Sequence, residues 1–226
     1  MDRYTDGDYR AQVPDWHDAD AGQKAASILA LLRDLEWTAD TVGEVGCGAG
    51  GVLVAVCDAL NADGLGVDPS HDALSQAPAH PRVVFRQGDI SVLHPCDLVL
   101  AIDVVEHVAD DIGLVAALAR LAPRVVLRIP LDVSALDAVR PGRMLDARRR
   151  WGHRSVYTLD LALALARDAG LNVVAYRTDR VKVHPDSVRG AISDRVRRAF
   201  HYFAPETTTR LFGGYSLLIA CTPVRS

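Results

Sequence analysis

Short runs of aliphatic and β-branched residues alternate along the chain with longer segments whose apolar positions recur every three or four residues. That alternation predicts an α/β architecture, a parallel sheet with helices on both faces. In AGQKAASILALLRDLEW, Ile28, Leu31, Leu32 and Leu35 fall on one stripe, so a helix follows a polar, acidic arm of about twenty residues. TVGEVG reads as the first strand, GGVLVAVCDALNADG as a buried helix closed by its Asn-Ala-Asp-Gly end, and LGVD as a short second strand. PSHDALSQA opens a helix with Ser70 as N-cap and Asp72 in the first turn. RVVFRQGD and CDLVLAID are strands three and four, and their near-continuous apolar content suits burial on both faces. DDIGLVAALARLAP is a helix stopped by Pro123, and RVVLRIP is strand five.

The rhythm then breaks over residues 131–157. A helix, TLDLALALARDAG, runs from Thr158 to a left-handed cap at Gly170. NVVAYRTDRVKV and GGYSLLIACTPV complete seven strands, with the Arg-rich helical stretch SVRGAISDRVRRAF between them. No linker or internal repeat divides the chain, so residues 1–226 are expected to form one domain. Residues 1–36 would be its arm and first helix, and residues 131–157 and 184–212 two basic inserts over an acceptor site.

Composition narrows the class. At 226 residues, 49% apolar and 24% charged, the chain is an ordinary globular one, long enough to build a core without staples. Cys47, Cys57, Cys96 and Cys221 form no CxxC pair, which fits reduced thiols and a cytoplasmic location. No apolar run approaches the roughly 18–20 residues of a membrane span, and the opening MDRYTDGDYR lacks the features of a secretory leader. The net charge of −4 hides an asymmetry. Residues 1–138 hold 9 Lys+Arg against 22 Asp+Glu (−13), and residues 139–226 hold 16 against 7 (+9). The basic half points to an anionic partner. Apart from Lys24 and Lys182, every cation in that count is arginine.

Open α/β sheets bind ligands at the carboxyl ends of their strands. The first strand ends in Glu44-Val45-Gly46-Cys47-Gly48-Ala49-Gly50-Gly51. Its glycines let the backbone turn tightly and approach a ligand. Gly46, Gly48 and Gly51 match GxGxxG, a weak signal for a dinucleotide. Glu44 argues the other way, because a carboxylate there would sit badly beside a pyrophosphate and well beside an ammonium group. The second strand ends at Asp68, 22 residues after Gly46, within reach of a ribose whose hydroxyls a carboxylate can accept. The third ends Gln87-Gly88-Asp89-Ile90, where Asp89 could accept from an adenine amine and Ile90 pack on the ring.

These residues resemble the class I S-adenosylmethionine-dependent methyltransferases. EVGCGAG resembles the family's glycine-rich motif, GVD its ribose-binding acid, QGDI its adenine turn and CDLVLAIDVVEHVAD its segment after strand four. The likeness covers about residues 40–180, and GHRSVYTLDLALALARDAG is similar to a segment of its small-molecule members. A weaker likeness, through the N-terminal WH…KA and C-terminal GGYSLLIA, is to methyltransferases of sugars or polysaccharide precursors. The resemblance implies a Rossmann-like, seven-stranded, mostly parallel sheet and S-adenosyl-L-methionine as methyl donor. It implies donor contacts from Glu44, Gly46, Cys47, Gly48, Asp68, Pro69, Asp89, Ile90, Ile102 and Asp103.

Since the donor's methyl is already activated by the sulfonium charge, the protein's task is alignment, with a base where the acceptor is an oxygen. His107, on the rim after strand four, is the preferred base, with His153 in the basic insert the second candidate. Glu106 either orients the His107 ring or closes the next helix start, and Asp103 either holds the donor's amine or shapes its loop. Asp103, Glu106, His107 and His153 also form an O/N set able to take a divalent cation. The D-x-x-E-H pattern is similar to the metal-binding E-x-x-E-H of small-RNA 2′-O-methyltransferases and some ubiquinone-pathway O-methyltransferases. The departure at Asp103 favours a metal-free site.

Arg140, Arg143, Arg148, Arg149, Arg150 and Arg154, with Arg189, Arg195, Arg197 and Arg198, are either a solvated face or a clamp for an anionic acceptor such as a sugar nucleotide or carboxylate metabolite. Tyr9, Trp16 and His17 are either a lid or a packed arm. The expected reaction is methyl transfer to oxygen or nitrogen of a small anionic metabolite in biosynthesis. An RNA methyltransferase is the alternative, though few aromatics interleave the basic segments and the pI is near 6.0. A non-catalytic binder of the donor is another, and a dehydrogenase the least favoured. No membrane partner is expected, and the oligomeric state, a homodimer among the options, stays open.

Overall fold

The computed structural model describes residues 20–140, 142, 145, 147–180 and 200–224. Tyr9, Trp16, His17, Arg143, Arg189, Arg195, Arg197 and Arg198 therefore lie outside the described residues, as does nearly all of the helix expected over 187–200. In chain order the main elements are α1 (Ala21–Asp34), β1 (Thr41–Val45), α2 (Gly51–Leu60), β2 (Asp63–Asp68), α3 (His71–Leu74), β3 (Val83–Gln87) and β4 (Leu98–Ile102). Then follow α4 (Asp111–Leu121), β5 (Val125–Leu131), α5 (Ala135–Ala138), α6 (Leu159–Asp168), β6 (Leu171–Arg180), α7 (Pro205–Phe212) and β7 (Tyr215–Pro223).

The strands form a seven-stranded sheet in the order β3-β2-β1-β4-β5-β7-β6. The five strands from β3 to β5 run parallel. β7 is antiparallel to both β5 and β6, between which it sits. The mostly parallel, Rossmann-like sheet expected from the sequence is therefore present, with its last strand reversed.

Residues along β4 alternate between two cores. Leu98, Leu100 and Ile102 pack with Ile28, Leu31 and Leu32 of α1 and Leu53 and Val56 of α2. Val99 and Ala101 face the other way, toward Val115 and Leu118 of α4 and Leu163 and Ala166 of α6. Both faces of the strand are thus covered, which explains its continuous hydrophobicity.

Local chemistry sets the element ends. Ser70 accepts from Ala73 N as the expected N-cap, and Thr158, expected as the start of its helix, accepts from Leu161 N as the N-cap of α6. Asn61 closes α2 in the left-handed conformation, φ 57°. Several boundaries differ from the sequence expectation. α3 is a single turn, β2 starts at Asp63 because Asp63 and Gly64 already pair with Thr41 and Val42, and β5 runs one residue past Pro130. Pro130 signals a strand stop, yet its pairing with Ser216 of β7 carries the strand on to Leu131. Among the described residues no helix is long and apolar enough to cross a membrane.

Candidate active site

Each of the five parallel strands delivers a carboxylate at or near its carboxyl end. Across the sheet these are Asp89, Asp68, Glu44, Asp103 and, just past β5, Asp132. A cavity of about 830 Å³ opens over this row. Glu44, Gly46, Cys47, Gly48, Asp68, Pro69, Asp89, Ile90, Ile102 and Asp103 all line it, together with His107 and His153. Glu106 does not line it; its side chain is buried beneath the rim at 1% exposure.

The glycine turn is fixed from two sides. Gly46 N and Cys47 N both donate to Val67 O of β2, and Gly46 has φ 66°, with Val104 lying where a Cβ would be. No side chain can occupy that position without displacing the loop after β4. Asp68 holds the other side, accepting from Gly48 N at 2.9 Å and from Ser70 N at 2.8 Å. Burial raises the Asp68 pKa, and those two backbone bonds act against the rise. The Cys47 thiol is also pushed up, by burial first and then by Glu44 and Asp68, so it stays an unreactive thiol.

Glu44 is 2% exposed, and its Oε2 has no hydrogen-bond partner among the described residues. Burial raises its pKa to about 8 from an ordinary 4.5; the Lys24 charge opposes the rise and Asp68 adds to it. Because the folded state holds this proton more tightly than the unfolded one, the resulting stability is full below pH 4.5 and is lost as the pH climbs toward 8. Thermal melts of the wild type and Glu44→Gln should diverge over that window, with the variant gaining on the wild type as pH rises. Parallel curves would mean that Glu44 does not titrate there.

Asp89 is exposed and caps the turn Ile90–Val92, its Oδ1 accepting from Ser91 N and Ser91 Oγ, bonds that lower its pKa. Ile90 is half-buried beside it. Asp103, at φ 57°, is gripped by two cations. Arg128 Nη1 lies 2.5 Å from both of its oxygens, and Lys24 Nζ is 2.9 Å from Oδ2. Burial opposes its charge, yet Lys24 and Arg128 hold its carboxyl well below the usual range. Arg128 in turn reaches Asp179 of β6 at 3.4 Å.

The basic insert returns over the rim because its backbone is pinned there. Arg154 N and Ser155 N both donate to Glu106 O, at 2.7 and 3.2 Å. This brings the His153 ring edge-on to His107, with centroids 5.0 Å apart. His153 Nδ1 donates to Asp132 Oδ2 at 2.5 Å, which leaves Nε2 as the proton-accepting nitrogen. Glu106 Oε1 is 3.8 Å from His107 Nε2. Burial, then the nearby Asp103 and Asp132, push the Glu106 pKa well up, and neither of its carboxyl oxygens has a hydrogen-bond partner among the described residues. Glu106, His107 and His153 bring potential ligand atoms within 4.8 Å of one another. Arg148 and Arg154 line the cavity from the same insert, whereas Arg140 and Arg149 are exposed away from its lining. Nothing is described of the Arg150 side chain.

Lys24 is the K of the WH…KA likeness, to which no donor role attaches, and Arg128, Asp132 and Asp179 carry no motif. Lys24 sits on an amphipathic helix and Arg128 inside a buried strand. Asp132 was open to detection, since it continues the series of strand-end acids once β5 is ended at Leu131.

A family model described as a methyltransferase domain matches residues 16–176. A ubiquinone biosynthesis O-methyltransferase of Methylococcus capsulatus is 38% identical over 123 residues, 47% of this chain and 52% of that protein. The matched stretch thus spans about half the length of that curated relative. Among solved structures, a chain from the complex of the Haloferax volcanii Trm112 methyltransferase activator with a methyltransferase superposes with TM-score 0.65 at 18% identity, covering 96% of this chain and 98% of that one. Magnesium protoporphyrin IX methyltransferase from Synechocystis PCC 6803, solved with bound SAH, gives TM-score 0.56 at 16% identity, covering 89% and 82%. At such identities these two likenesses concern the fold.

Proposed function

Because the chain belongs to the methyltransferase-domain family, we propose that it moves the methyl group of S-adenosyl-L-methionine to an oxygen of a small anionic metabolite. The observation that carries this is the convergence of strand-end carboxylates and a carboxylate-held histidine on one cavity. Asp68 would accept from the ribose hydroxyls, Asp89 from the adenine amine through the oxygen Ser91 leaves open, and Glu44 and Asp103 would face the ammonium. Ile90 would pack on the adenine. The row of acids suits a cationic nucleoside and opposes a pyrophosphate.

In the reaction the acceptor hydroxyl gives its proton to His153 Nε2 as its oxygen attacks the methyl carbon in line with the sulfur. The carbon–sulfur bond breaks, its electrons return to sulfur, and S-adenosylhomocysteine leaves as a neutral thioether. Asp132 fixes the tautomer of His153 and offsets the charge the ring acquires. His107 walls the same corner. Arg148 and Arg154 would receive the anionic group of the acceptor. The O-methyltransferase relative supports oxygen over nitrogen as the acceptor atom.

One observation favours a second arrangement at this corner. The buried, unpartnered Glu106 carboxyl beside His107 and His153 suits a divalent cation, with Asp132 behind His153 as an outer partner. Bound there, a cation would lower the pKa of the acceptor hydroxyl. Turnover that disappears on chelation and returns with added magnesium or zinc would select this arrangement over the free histidine base.

Titration calorimetry should give one-to-one binding of S-adenosylhomocysteine and none of NAD. Label from the methyl group of S-adenosylmethionine should appear on a small acceptor that carries both a hydroxyl and a carboxylate, with 3,4-dihydroxybenzoate the probe. No heat from S-adenosylhomocysteine would end the proposal.

A further inference from the structure

His153 sits on the insert between α5 and α6, and a set of ties on residues 153–157 fixes it against the cavity. Arg154 N and Ser155 N hold the backbone to Glu106 O. Two side chains then close on a single atom. Tyr157 OH donates to Asp111 Oδ2 at 2.6 Å, and Ser155 Oγ donates to the same oxygen at 3.1 Å. Asp111 stands in the first turn of α4, where its other oxygen accepts from Ile112 N, and Asp110 caps that helix separately through Gly113 N. Burial works against the Asp111 charge, yet the hydrogen bonds from Tyr157, Ser155 and Ile112 outweigh it and hold the carboxyl below the usual range. Burial first, and then Asp111, raises the Tyr157 pKa, so its hydroxyl stays a donor. The Tyr157 ring is 5% exposed and belongs to the core that α4 and α6 share. Its carbonyl accepts from Val133 N, one residue past Asp132, and the N-cap of α6 follows directly at Thr158.

One residue therefore ties the His153 loop to two rigid elements at once, to α4 by its hydroxyl and to the end of β5 by its carbonyl. The second tie matters because Asp132, the partner of His153 Nδ1, lies there. Resting on the histidine-base reading above, we infer that Tyr157 is a positioning residue whose hydroxyl, through Asp111, locks the loop that presents His153 Nε2 to the acceptor. Tyr157 acts through His153 alone, since it does not line the cavity. Without its hydroxyl, the half-buried Asp111 keeps Ser155 and regains solvent, so little stability is lost. Residues 153–156, however, gain freedom between Glu106 and the α6 cap. The His153 ring then leaves Asp132 part of the time, and a misplacement of about 1 Å can cost about 100-fold in rate.

Nitrogen NMR of the histidine rings, on the full chain, reads this lock without any acceptor. In alkaline buffer the neutral His153 ring, identified by its absence from His153→Ala, should carry its proton on Nδ1 in wild type and show both tautomers in Tyr157→Phe. Single-turnover methyl transfer from S-adenosylmethionine to 3,4-dihydroxybenzoate should fall about 10-fold in Tyr157→Phe and about 30-fold in Asp111→Ala, which releases both hydroxyls, with S-adenosylhomocysteine affinity held within about twofold. Added to His153→Ala, Tyr157→Phe should cost no further rate, because nothing is left for it to position. A single Nδ1-protonated form kept in both Tyr157→Phe and Asp111→Ala would overturn the lock and leave the methyl-transfer reading standing. So would an equal loss of rate with and without His153, the mark of a merely structural tyrosine. Should Tyr157→Phe fail to fold, Asp111→Ala, whose helix keeps its Asp110 cap, carries the same comparison. If wild type transfers no methyl group, the acceptor reading falls, and the ring spectrum still decides the lock.

Discussion

Asp68→Ala should weaken S-adenosylhomocysteine binding by about 100-fold or more, the largest loss expected from any single change on the donor side. Two effects combine in it. The carboxylate is the proposed partner of both ribose hydroxyls, and each hydrogen bond to a charged group is worth about 1.5–3 kcal/mol. It also anchors the glycine turn through Gly48 N and the start of α3 through Ser70 N. Alanine removes all of these acceptors together, so the turn is no longer held in shape for the donor. Asp68→Asn, which keeps the size of the side chain and one acceptor oxygen, should fall between the two. Calorimetry alongside a thermal melt separates lost affinity from lost fold. A folded Asp68→Ala protein within threefold of wild type would remove Asp68 from the donor site.

On the acceptor side, His153→Ala should cut turnover by about 10²–10⁴-fold, the range ordinary for a general base, with S-adenosylhomocysteine affinity held within about threefold. The Asp132 bond motivates the choice of this ring over His107, since a carboxylate on Nδ1 sets the tautomer that presents Nε2 as the acceptor. Asp132→Asn should then lose a large part of the same rate with donor binding intact. The measurement is single-turnover methyl transfer from S-adenosylmethionine to any hydroxyl acceptor the wild type uses. A His153→Ala enzyme within about fivefold of wild type would move the base to His107.

Much of this site is legible in the sequence because a parallel sheet converts strand ends into neighbours. Glu44, Asp68, Asp89 and Asp103 lie far apart in the chain but close a run of apolar residues each, and the fold brings all four to one cavity. His153 is harder, as nothing local says that an insert will return over the rim. The two bonds from Arg154 N and Ser155 N to Glu106 O do that, and backbone pairing leaves no trace in residue type. Arg128 is hidden for a related reason. It occupies a position of β5 buried between neighbours, where its charge is tolerated only because Asp103 and Asp179 meet it from β4 and β6. The reversal of β7 is equally silent, since its alternation of Leu217 and Ile219 against Leu218 and Ala220 reads the same in either direction.

That reversal bears on how the protein is made. Among the described residues β6 pairs with β7 alone, and β7 wedges between β6 and β5. When residues 171–180 leave the ribosome they have no strand to join until residues 215–223 follow. The β3-β2-β1-β4-β5 half can assemble during synthesis, while β6 must wait with both edges open. Nascent chains stalled in that interval expose a bare β5 edge, and a chaperone acting on this protein would meet it there.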